Sequence, residues 1–441
     1  MKIKLFAALV LVAVVFSSAI IGKAQTCSTA GCLDNTFGTN GTAIYSIPNA
    51  SSGNTNETVI QSDGKILSLV TADYASGSTN VMIRYSANGT LDTNFGSGGF
   101  VYMNWINASN YYGSANTMAI QRVTRTDGVT DERIVIAGGY TVTSACCQYR
   151  ADRYLPDGNP DLSFGTSGTG KVIIDAAFSA RAIVIQPADQ KILTVSDGAT
   201  ASFVRLNVDG TRDATFGNNG IANAPGMNHS SLAIQSTGRI IVAGDYRKGG
   251  STSDFAVGRF NANGTPDTTF GTSGNVITDF ARGTDTVQDV AVISGDYIIA
   301  SGTAQGKYTG KDMAVARYTP NGKLDTTFGV SGKNSFNFNG DDTAATFGVQ
   351  SDGKIVLFGH STGVGGYTDV ALVRLTPNGA IDSSFGQNGK TTLDFYGGND
   401  ILAGAIQLDA ACVGCEKLIT AGVARDSTNS NYYAAAARFI P

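Results

Sequence analysis

Residues 259–274 read RFNANGTPDTTFGTSG, and this segment is one copy of a motif that recurs along the whole chain. The motif is R-[YLF]-x-x-[ND]-G-x-x-D-x-x-F-G-x-x-G, and its copies follow one another at intervals of about 50 to 70 residues, which predicts a repeat architecture. The full copies contain the pairs Arg84/Asp92, Arg153/Asp161, Arg205/Asp213, Arg259/Asp267, Arg317/Asp325 and Arg374/Asp382.

Two motif fragments lie at the ends of the chain. Asp34, Phe37, Gly38 and Gly41 preserve the second half of the motif, and Arg438 with the residue after it preserves the first half. An open array of repeats would not need half a motif at each terminus. A closed ring would, because its last unit must meet its first.

Each unit contains four short segments rich in β-branched and aromatic residues, bounded by Gly, Asp, Ser or Asn, which is typical of strands. In the fifth unit they are 275–280, 288–293, 297–301 and 312–318. Four strands in each of seven units predict an all-β protein, a seven-bladed β-propeller of residues 25–441. An open β-solenoid or two packed sandwiches are the alternatives, but repeat sequence without polar caps argues against an open array.

The motif side chains are predicted to be structural. A charge that is partly buried in every unit must be paired to be tolerated, and each motif phenylalanine would fill the space between adjacent blades. In 255–259 the large residues and the arginine share one face of a strand, which we count as the last of its unit, and Ala and Gly share the other. The best examples of the motif residues are Arg84, Asp92 and Phe95; Arg259, Asp267 and Phe270; and Arg317, Asp325 and Phe328.

The units resemble the delta-60 repeat family of exported bacterial proteins. The resemblance rests on QSDGKI at 61–66 and 350–355, on LDTTFGVSG at 324–332, and on the Arg-aromatic pairs, and it covers essentially all of 33–441. The fifth unit departs from it, because SGDYI replaces the DGK turn. The resemblance implies a propeller-like fold and export, and it brings no assigned activity or catalytic residues.

The first 24 residues are predicted to be a signal peptide. Two lysines precede the apolar segment 5–21, and small residues follow it at 22–24. A membrane anchor is the alternative, but the apolar segment is marginal in length for a span. We therefore expect secretion, with periplasmic or lipid-anchored forms, the latter through Cys27, as less favoured alternatives. A formal net charge of −4 without a basic block argues against nucleic acid and anionic membrane.

The six cysteines lie in three close pairs, and in an exported chain they indicate disulfides rather than metal ligands. Cys27 with Cys32 and Cys412 with Cys415 are plausible local bridges. A bridge between the neighbours Cys146 and Cys147 would be strained, so their pairing stays open.

Catalytic and cofactor sites have little support in the sequence. The F-G-x-x-G segment lacks the helix and the lysine of a phosphate-binding loop, and His229 and His360 both look like strand-edge or turn residues. We assign no catalytic residue, no cofactor and no metal site. Each Asp-rich turn lacks the spacing of a coordinating loop, and a calcium ion at some blade is kept as an open alternative.

The loops before each arginine-bearing strand are the strongest candidates for binding. Gly, Ser, Thr and Asn surround a tyrosine in five of them, which suits stacking on sugar rings or a protein partner. These candidate ligand-binding residues are Tyr74, Tyr246, Tyr308, Tyr367 and Tyr432. The alternative is a structural role, in which the tyrosine caps the end of a strand. The segment 105–112, which contains the only tryptophan, is a second candidate for which a buried blade strand is the simpler interpretation.

We therefore expect an exported, monomeric binding or scaffold protein that presents a loop rim to an extracellular glycan or protein and is not an enzyme. The alternative is a lyase or hydrolase that acts on polysaccharide at the mouth of the propeller channel. A third option is a structural surface component without a ligand.

Overall fold

The computed structural model of the chain shows seven four-stranded antiparallel sheets arranged as a seven-bladed β-propeller, which confirms the predicted fold. It describes residues 29–441, with gaps in the description at 76, 104, 106–112, 126, 144–145, 175–178, 197–200, 225, 248–251, 281–282, 307–308, 364–365, 409–415 and 430, and gives the backbone alone at 140–143, 146–147 and 229. The predicted signal peptide therefore lies outside the described residues. Within them, no helix has the length and apolar character needed to cross a membrane.

The strands are numbered in chain order, and blades 1 to 6 each use four consecutive strands. The only helical element of the described residues is a 3-10 turn at Ser294–Asp296. The bounds of the strands are as follows. The first strand is β1 (Thr42–Ser46). Blade 1 consists of β2 (Ser52–Ile60), β3 (Ile66–Tyr74), β4 (Gly77–Tyr85) and β5 (Phe100–Met103). Blade 2 consists of β6 (Gly113–Thr124), β7 (Thr130–Thr143), β8 (Cys146–Tyr154) and β9 (Lys171–Ile174). Blade 3 consists of β10 (Ala180–Ile185), β11 (Ile192–Ser196), β12 (Ser202–Leu206) and β13 (Ile221–Asn223). Blade 4 consists of β14 (Asn228–Ile234), β15 (Ile240–Tyr246), β16 (Asp254–Phe260) and β17 (Asn275–Thr278). Blade 5 consists of β18 (Thr286–Val292), β19 (Ile298–Gly306), β20 (Gly310–Tyr318) and β21 (Lys333–Phe336). Blade 6 consists of β22 (Asp342–Val349), β23 (Ile355–Thr362), β24 (Thr368–Leu375) and β25 (Lys390–Leu393). The last three strands are β26 (Gly397–Gln407), β27 (Lys417–Asp426) and β28 (Tyr432–Phe439).

Blade 7 closes the ring. Its sheet has the order β1-β28-β27-β26, so three strands from the end of the chain are completed by β1 from its beginning, and blade 1 therefore starts at β2. β1 pairs antiparallel with β28, with Thr42 opposite Ala437. This arrangement confirms the ring closure that the split motif predicts.

The first strand of every blade faces the axis of the ring, and the fourth is the outermost. β2, β6, β10, β14, β18, β22 and β26 therefore surround a central channel, because each of them packs against the first strands of its two neighbours. The sequence left open which end of each blade lies at the axis, and the structure decides it.

The strand that carries the motif arginine is the third of its blade, which corrects its assignment as the last strand of the unit. In blade 4, β16 pairs with β17, the strand that follows the motif. The reason is the tight reversal within D-x-x-F-G-x-x-G, where Arg259 N donates to Gly274 O at 3.0 Å. The motif thus folds back on its own arginine, and the chain adds an outer strand before it crosses to the next blade.

Six of the seven motif arginines join two blades through hydrogen bonds between described residues. Arg259 Nε donates to Asp267 Oδ2 at 2.8 Å within blade 4, and its Nη1 donates to the carbonyl of Pro320 in blade 5 at 2.6 Å. Its guanidinium lies 4.8 Å from the centre of the Phe270 ring, within the range of a cation–π contact. The predicted pairing with the motif aspartate and turn carbonyls is therefore confirmed.

The motif phenylalanine packs against the Asn-Gly turn of the next blade. Phe270 is fully buried, and a Cβ added to Gly322 would lie 2.8 Å from its ring. Gly322 also has a φ of 80°, in the left-handed region that favours glycine. Beside this contact Gly271 N donates to Asn321 O at 3.1 Å. We call the motif arginine, aspartate and phenylalanine, together with the Asn-Gly or Asp-Gly turn of the next blade, the latch.

The latch recurs around the ring and includes the junction of the two chain ends. Arg438 Nε donates to Asp34 Oδ2 at 3.0 Å, and its Nη1 donates to Ala87 O of blade 1 at 2.9 Å. Burial opposes ionisation of Asp34, but hydrogen bonds from Thr36 and Lys417 and the charge of Arg438 lower its pKa to about 2. The equivalent arginine–aspartate bonds are Arg84–Asp92, Arg153–Asp161, Arg205–Asp213, Arg317–Asp325 and Arg374–Asp382.

The two faces of the arginine-bearing strand pack against different blades. Phe255 and Val257 lie in a hydrophobic cluster with residues of blade 5 such as Ile298, whereas Ala256 lies in a cluster with Phe203 of blade 3. The alternation of large and small residues thus sets the spacing between neighbouring sheets, as the sequence predicts.

Replacing one latch arginine is expected to destabilise the whole ring. In Arg259→Ala the buried carboxylate of Asp267 loses its buried partner and keeps only the more exposed Arg239, 3.3 Å away; breaking a buried ion pair costs up to about 3–5 kcal/mol. The free energy of unfolding, measured by urea denaturation, should fall by that amount.

The matched control is Arg125→Ala, which removes an exposed arginine whose ion pairs lie at the surface. Its urea midpoint should equal that of the unmodified protein. Equal midpoints for both variants would contradict a structural role for the latch.

Candidate functional site

The two faces of the propeller are formed by different segments of the chain. The latches lie on one face, with the turns between first and second strands. The other face, which we call the loop face, carries the loops between second and third strands and the connections from each fourth strand to the next blade. Strand directions alternate within every blade, and therefore the five tyrosine-containing loops lie on the loop face together.

The candidate tyrosines differ in exposure. Tyr74 and Tyr432 pack against the hydrophobic cluster between blades 7 and 1, and Tyr246 packs against the cluster between blades 3 and 4. Tyr367 is 43% exposed, and Tyr308 lies outside the described residues. The structure brings four of the five to the loop face and leaves Tyr367 the most accessible of those four. Their role in binding stays a prediction.

The loop face also carries two clusters of three aspartates that the sequence analysis missed. One is Asp254, Asp279 and Asp285, at the junction of blades 4 and 5. The other is Asp369, Asp394 and Asp400, at the junction of blades 6 and 7. In each cluster one carboxylate oxygen from every aspartate lies within 4.8 Å of the other two. The members of each cluster come from two blades, so no spacing within one unit predicts the cluster. The sequence does show an aspartate five residues before the motif arginine in three successive units, at 254, 312 and 369, and this recurrence could have indicated it.

Like charges and burial perturb these carboxyl groups. Burial, together with the charges of Asp394 and Asp369, raises the pKa of Asp400 to about 8, although the Phe395 and Arg425 N–H groups oppose the shift. Burial and the charge of Asp394 raise the pKa of Asp369 to about 6. In the other cluster burial, with the neighbouring carboxylates, raises the pKa of Asp285.

The central channel contains a cavity of about 560 Å³. Side chains from the first strands of all seven blades line it, and most of them are polar. Among its lining residues are Asn56, Asn116, Arg181, Gln288 and Thr346. Among the described residues, polar side chains therefore outnumber apolar ones in the lining of the channel.

Two carboxyl groups in this channel influence each other. Burial and the charge of Asp289 raise the pKa of Glu57 to about 8. Burial also raises the pKa of Asp289, although Ser231 Oγ donates to its Oδ1 at 3.0 Å and Thr346 Oγ1 donates to its Oδ2 at 2.7 Å. Glu57 accepts a long hydrogen bond from Thr117 Oγ1 to its Oε2 at 3.5 Å, and the backbone N–H of Thr58 also opposes the rise of its pKa. The ionised form of Asp289 is therefore stabilised by more side-chain hydrogen bonds than that of Glu57.

Other residues singled out in the sequence have structural surroundings or lie outside the description. Trp105 is buried and donates from Nε1 to Asp152 Oδ2 at 2.9 Å, as expected for a blade residue. His360 lines the channel, and burial lowers its pKa. The side chain of His229 is outside the described part of the chain.

The cysteine predictions remain untested. Cys32 lies beside Thr29, with its Sγ 3.2 Å from Thr29 Oγ1. Its predicted partner Cys27 is outside the described residues, and so are Cys412 and Cys415. Disulfide formation therefore stays a prediction from the sequence.

Parts of four repeat units match a known protein family. Four stretches of this chain match a β-propeller family described as a domain of unknown function, DUF5122. The matched residues are 61–95, 235–270, 298–328 and 350–385, and each match ends at a motif phenylalanine. The chain thus contains repeats of a propeller family. No curated protein matches it significantly.

Solved structures with a similar arrangement share little sequence with this chain. A protein of unknown function from Bacteroides caccae is 11% identical over 71% of this chain and 94% of its own, with a TM-score of 0.36. Raptor from Chaetomium thermophilum is 9% identical over 89% of this chain and 29% of its own, with a TM-score of 0.45. The CNH domain of AfRom2 is 9% identical over 90% of this chain and 98% of its own, with a TM-score of 0.44. At these values none of them informs function.

The raised pKa of Glu57 predicts a specific dependence of stability on pH. Its ordinary pKa is 4.5 and the folded value is about 8, so the folded protein holds a proton that the unfolded chain releases. The resulting stabilisation is complete below about pH 4.5 and is lost as the pH rises through about 8. As the pH rises over this interval, the free energy of unfolding of Glu57→Gln should fall less steeply than that of the unmodified protein.

Asp189→Asn serves as the control, because it removes an exposed carboxylate outside the channel and should leave the slope unchanged. An unaltered slope in Glu57→Gln, measured by urea denaturation at several pH values, would show that Glu57 is ionised in the folded protein.

Proposed function

We propose that the protein is an exported, non-enzymatic binding propeller that uses its loop face to hold an extracellular glycan or protein. Export rests on the predicted signal peptide, and the resemblance to the delta-60 repeat family is part of the same proposal. The observation that carries the proposal is the division of the molecule into a face occupied by latches and a face that is free to vary.

The latch face has few polar groups left for a ligand. Its arginines, aspartates and turns bond one another across six of the seven junctions, as Arg317 does with Asp325 and with the Pro377 carbonyl. Groups that hold the ring together cannot be redirected to a ligand without loss of stability. The loop face is the surface on which sequence can differ from blade to blade.

The composition of the loop face suits a polar, uncharged polymer. Its loops combine tyrosine with Gly, Ser, Thr and Asn, and a tyrosine ring offers an apolar surface with a hydroxyl at its edge. Tyr367 is the clearest example, because it is exposed at the end of the loop between β23 and β24. We therefore test a glycan first.

The channel supports a second candidate, an enzyme that cleaves polysaccharide. Its observation is the pair of Glu57 and Asp289, since a protonated and an ionised carboxyl group are the groups that glycoside hydrolysis requires. Asp289, however, accepts hydrogen bonds from several neighbours. A carboxylate held in this way suits a structural role in the channel better than attack on a substrate.

The first experiment measures retention of the purified mature chain on an array of soluble polysaccharides. Loss of one stacking tyrosine in Tyr367→Ala should weaken retention up to about tenfold, because such a contact contributes on the order of 0.5–1.5 kcal/mol. Tyr102→Ala is the matched control, because Tyr102 is equally exposed, at 45%, on the outermost strand of blade 1.

Two results would count against this proposal, and another would identify the ligand as a protein rather than a glycan. Equal weakening by both variants would remove the loop face as the binding surface. Retention of a protein ligand but no polysaccharide would replace the glycan. New reducing ends that disappear in Glu57→Gln would replace binding by catalysis in the channel.

A further inference from the structure

A cleft of about 670 Å³ lies at the outer side of the ring, beside the latch between blades 3 and 4. One wall consists of β13 and the motif turn before it, and the other is the turn 263–266 of blade 4. We call it the 3–4 cleft. Its lining contains no acidic residue, and it contains one arginine and four asparagines, which are Arg212, Asn218, Asn219, Asn223 and Asn263.

Arg212 replaces an apolar residue of the repeat. In the six other units the residue before the motif aspartate is Leu, Pro or Ile, at 33, 91, 160, 266, 324 and 381. The backbone of Arg212 lies as it does in those units, because Arg212 forms the same isolated bridge to Leu206 that Leu324 forms to Tyr318. The difference is therefore confined to the side chain, which places a positive charge in the lining of the cleft.

The fold does not use the polar side chains of this wall. The Arg212 carbonyl accepts a hydrogen bond from Asn207 Nδ2 at 3.3 Å. Among the described residues, however, no hydrogen bond or ion pair involves the side chains of Arg212, Asn218, Asn219 or Asn223. An arginine without a carboxylate partner in the protein remains available to an anion from solution.

The small side chain of Ala222 leaves the cleft open. The residue two positions after the last motif glycine faces the turn of the next blade, and it is a valine in three other units, at 101, 172 and 276. A Cβ added to Gly158 would lie 2.8 Å from Val101 Cγ2, and one added to Gly264 would lie 2.6 Å from Ala222 Cβ. The two positions are thus equivalent, and the alanine lacks the methyl groups that occupy this space in the valine units.

Two other junctions fill the corresponding space with a polar side chain. Between blades 5 and 6, Asn334 Nδ2 donates to the carbonyl of Gly379 at 3.2 Å. Between blades 7 and 1, the Tyr45 hydroxyl donates to the carbonyl of Gly89 at 3.4 Å. At the 3–4 junction both equivalent residues are alanines, at 222 and 224, and neither can form such a bond.

We propose that the 3–4 cleft binds a sugar acid, through the carboxylate of a uronate residue. A guanidinium pairs with a carboxylate through two parallel hydrogen bonds, and asparagine amides both donate and accept, as sugar hydroxyls require. Ile221 and Pro266 add apolar surface for the C–H groups of the ring. The site lies apart from the loop face and does not rest on the proposed function.

The test is a titration of the purified mature chain with the sodium salts of glucuronate, galacturonate and mannuronate, followed by ligand-observed NMR. The neutral controls are glucose, galactose and mannose. At least one uronate should bind more tightly than its neutral counterpart, because only the uronate pairs with Arg212. Its binding should weaken as the salt concentration rises, because the pair is exposed to solvent.

Arg212→Leu is the decisive variant, since it recreates the leucine found in three other units, at 33, 91 and 324. Its urea midpoint should equal that of the unmodified protein, whereas its affinity for the uronate should fall at least about tenfold with the loss of a charged hydrogen bond. Arg125→Leu is the matched control, because Arg125 is exposed in the turn between β6 and β7, and it should leave uronate binding unchanged.

Ala222→Val tests whether the ligand occupies the cleft. It introduces the valine of the other units and fills the space while the charge of Arg212 remains, so uronate binding should be lost. Full binding by this variant would show that Arg212 attracts anions without a cleft, and would overturn the proposal.

Two further results would overturn the proposal. One is an absence of binding by all three uronates, and the other is equal binding of a uronate and its neutral counterpart. Tyr367→Ala should leave uronate binding unchanged. Loss of uronate binding in Tyr367→Ala, with full binding in Arg212→Leu, would place the sugar acid on the loop face instead.

Discussion

The propeller depends on one interaction, the contact of a buried arginine with the blade that carries it and with the blade that follows. The guanidinium binds its own aspartate, covers its own phenylalanine and donates to a carbonyl of the neighbour, as Arg205 does with Asp213, Phe216 and Ala262. A planar group with several fixed donors can do this, and an ammonium cannot. Because the contact is directional, repeating it fixes both the order of the blades and the angle between them.

Ring closure follows from the same contact. Without a partner, Arg438 would be a buried charge at the end of the chain, and Asp34 would be another at its beginning. Their pairing satisfies both, and β1 supplies the fourth strand of blade 7 by pairing with β28. The strand order and the motif therefore support one another, which is the consistency expected of a sequence that specifies a single fold.

Carboxyl groups that approach one another lie away from the latches, in the channel and at the blade junctions of the loop face. Glu57 and Asp289 meet in the channel because the first strands of blades 1 and 5 both face the axis. Asp400 meets Asp369 because a first strand lies beside the third strand of the preceding blade. In both places burial and a neighbouring negative charge raise the pKa of a carboxyl group, to about 8 for Glu57 and for Asp400.

The sequence by itself determined the seven-fold repeat, the all-β class, the closed ring and the structural role of the motif, because these depend on short spacings within one unit. It counted the arginine-bearing strand of a unit as its last, since hydrogen bonding to β17 across the motif turn is invisible in the spacing. Only the tertiary structure decided which strand faces the axis, which carboxylates meet, and that Tyr367 is exposed whereas Tyr74 packs into a core. These features depend on contacts between blades, where residues far apart in the chain come together at distances that no local pattern encodes.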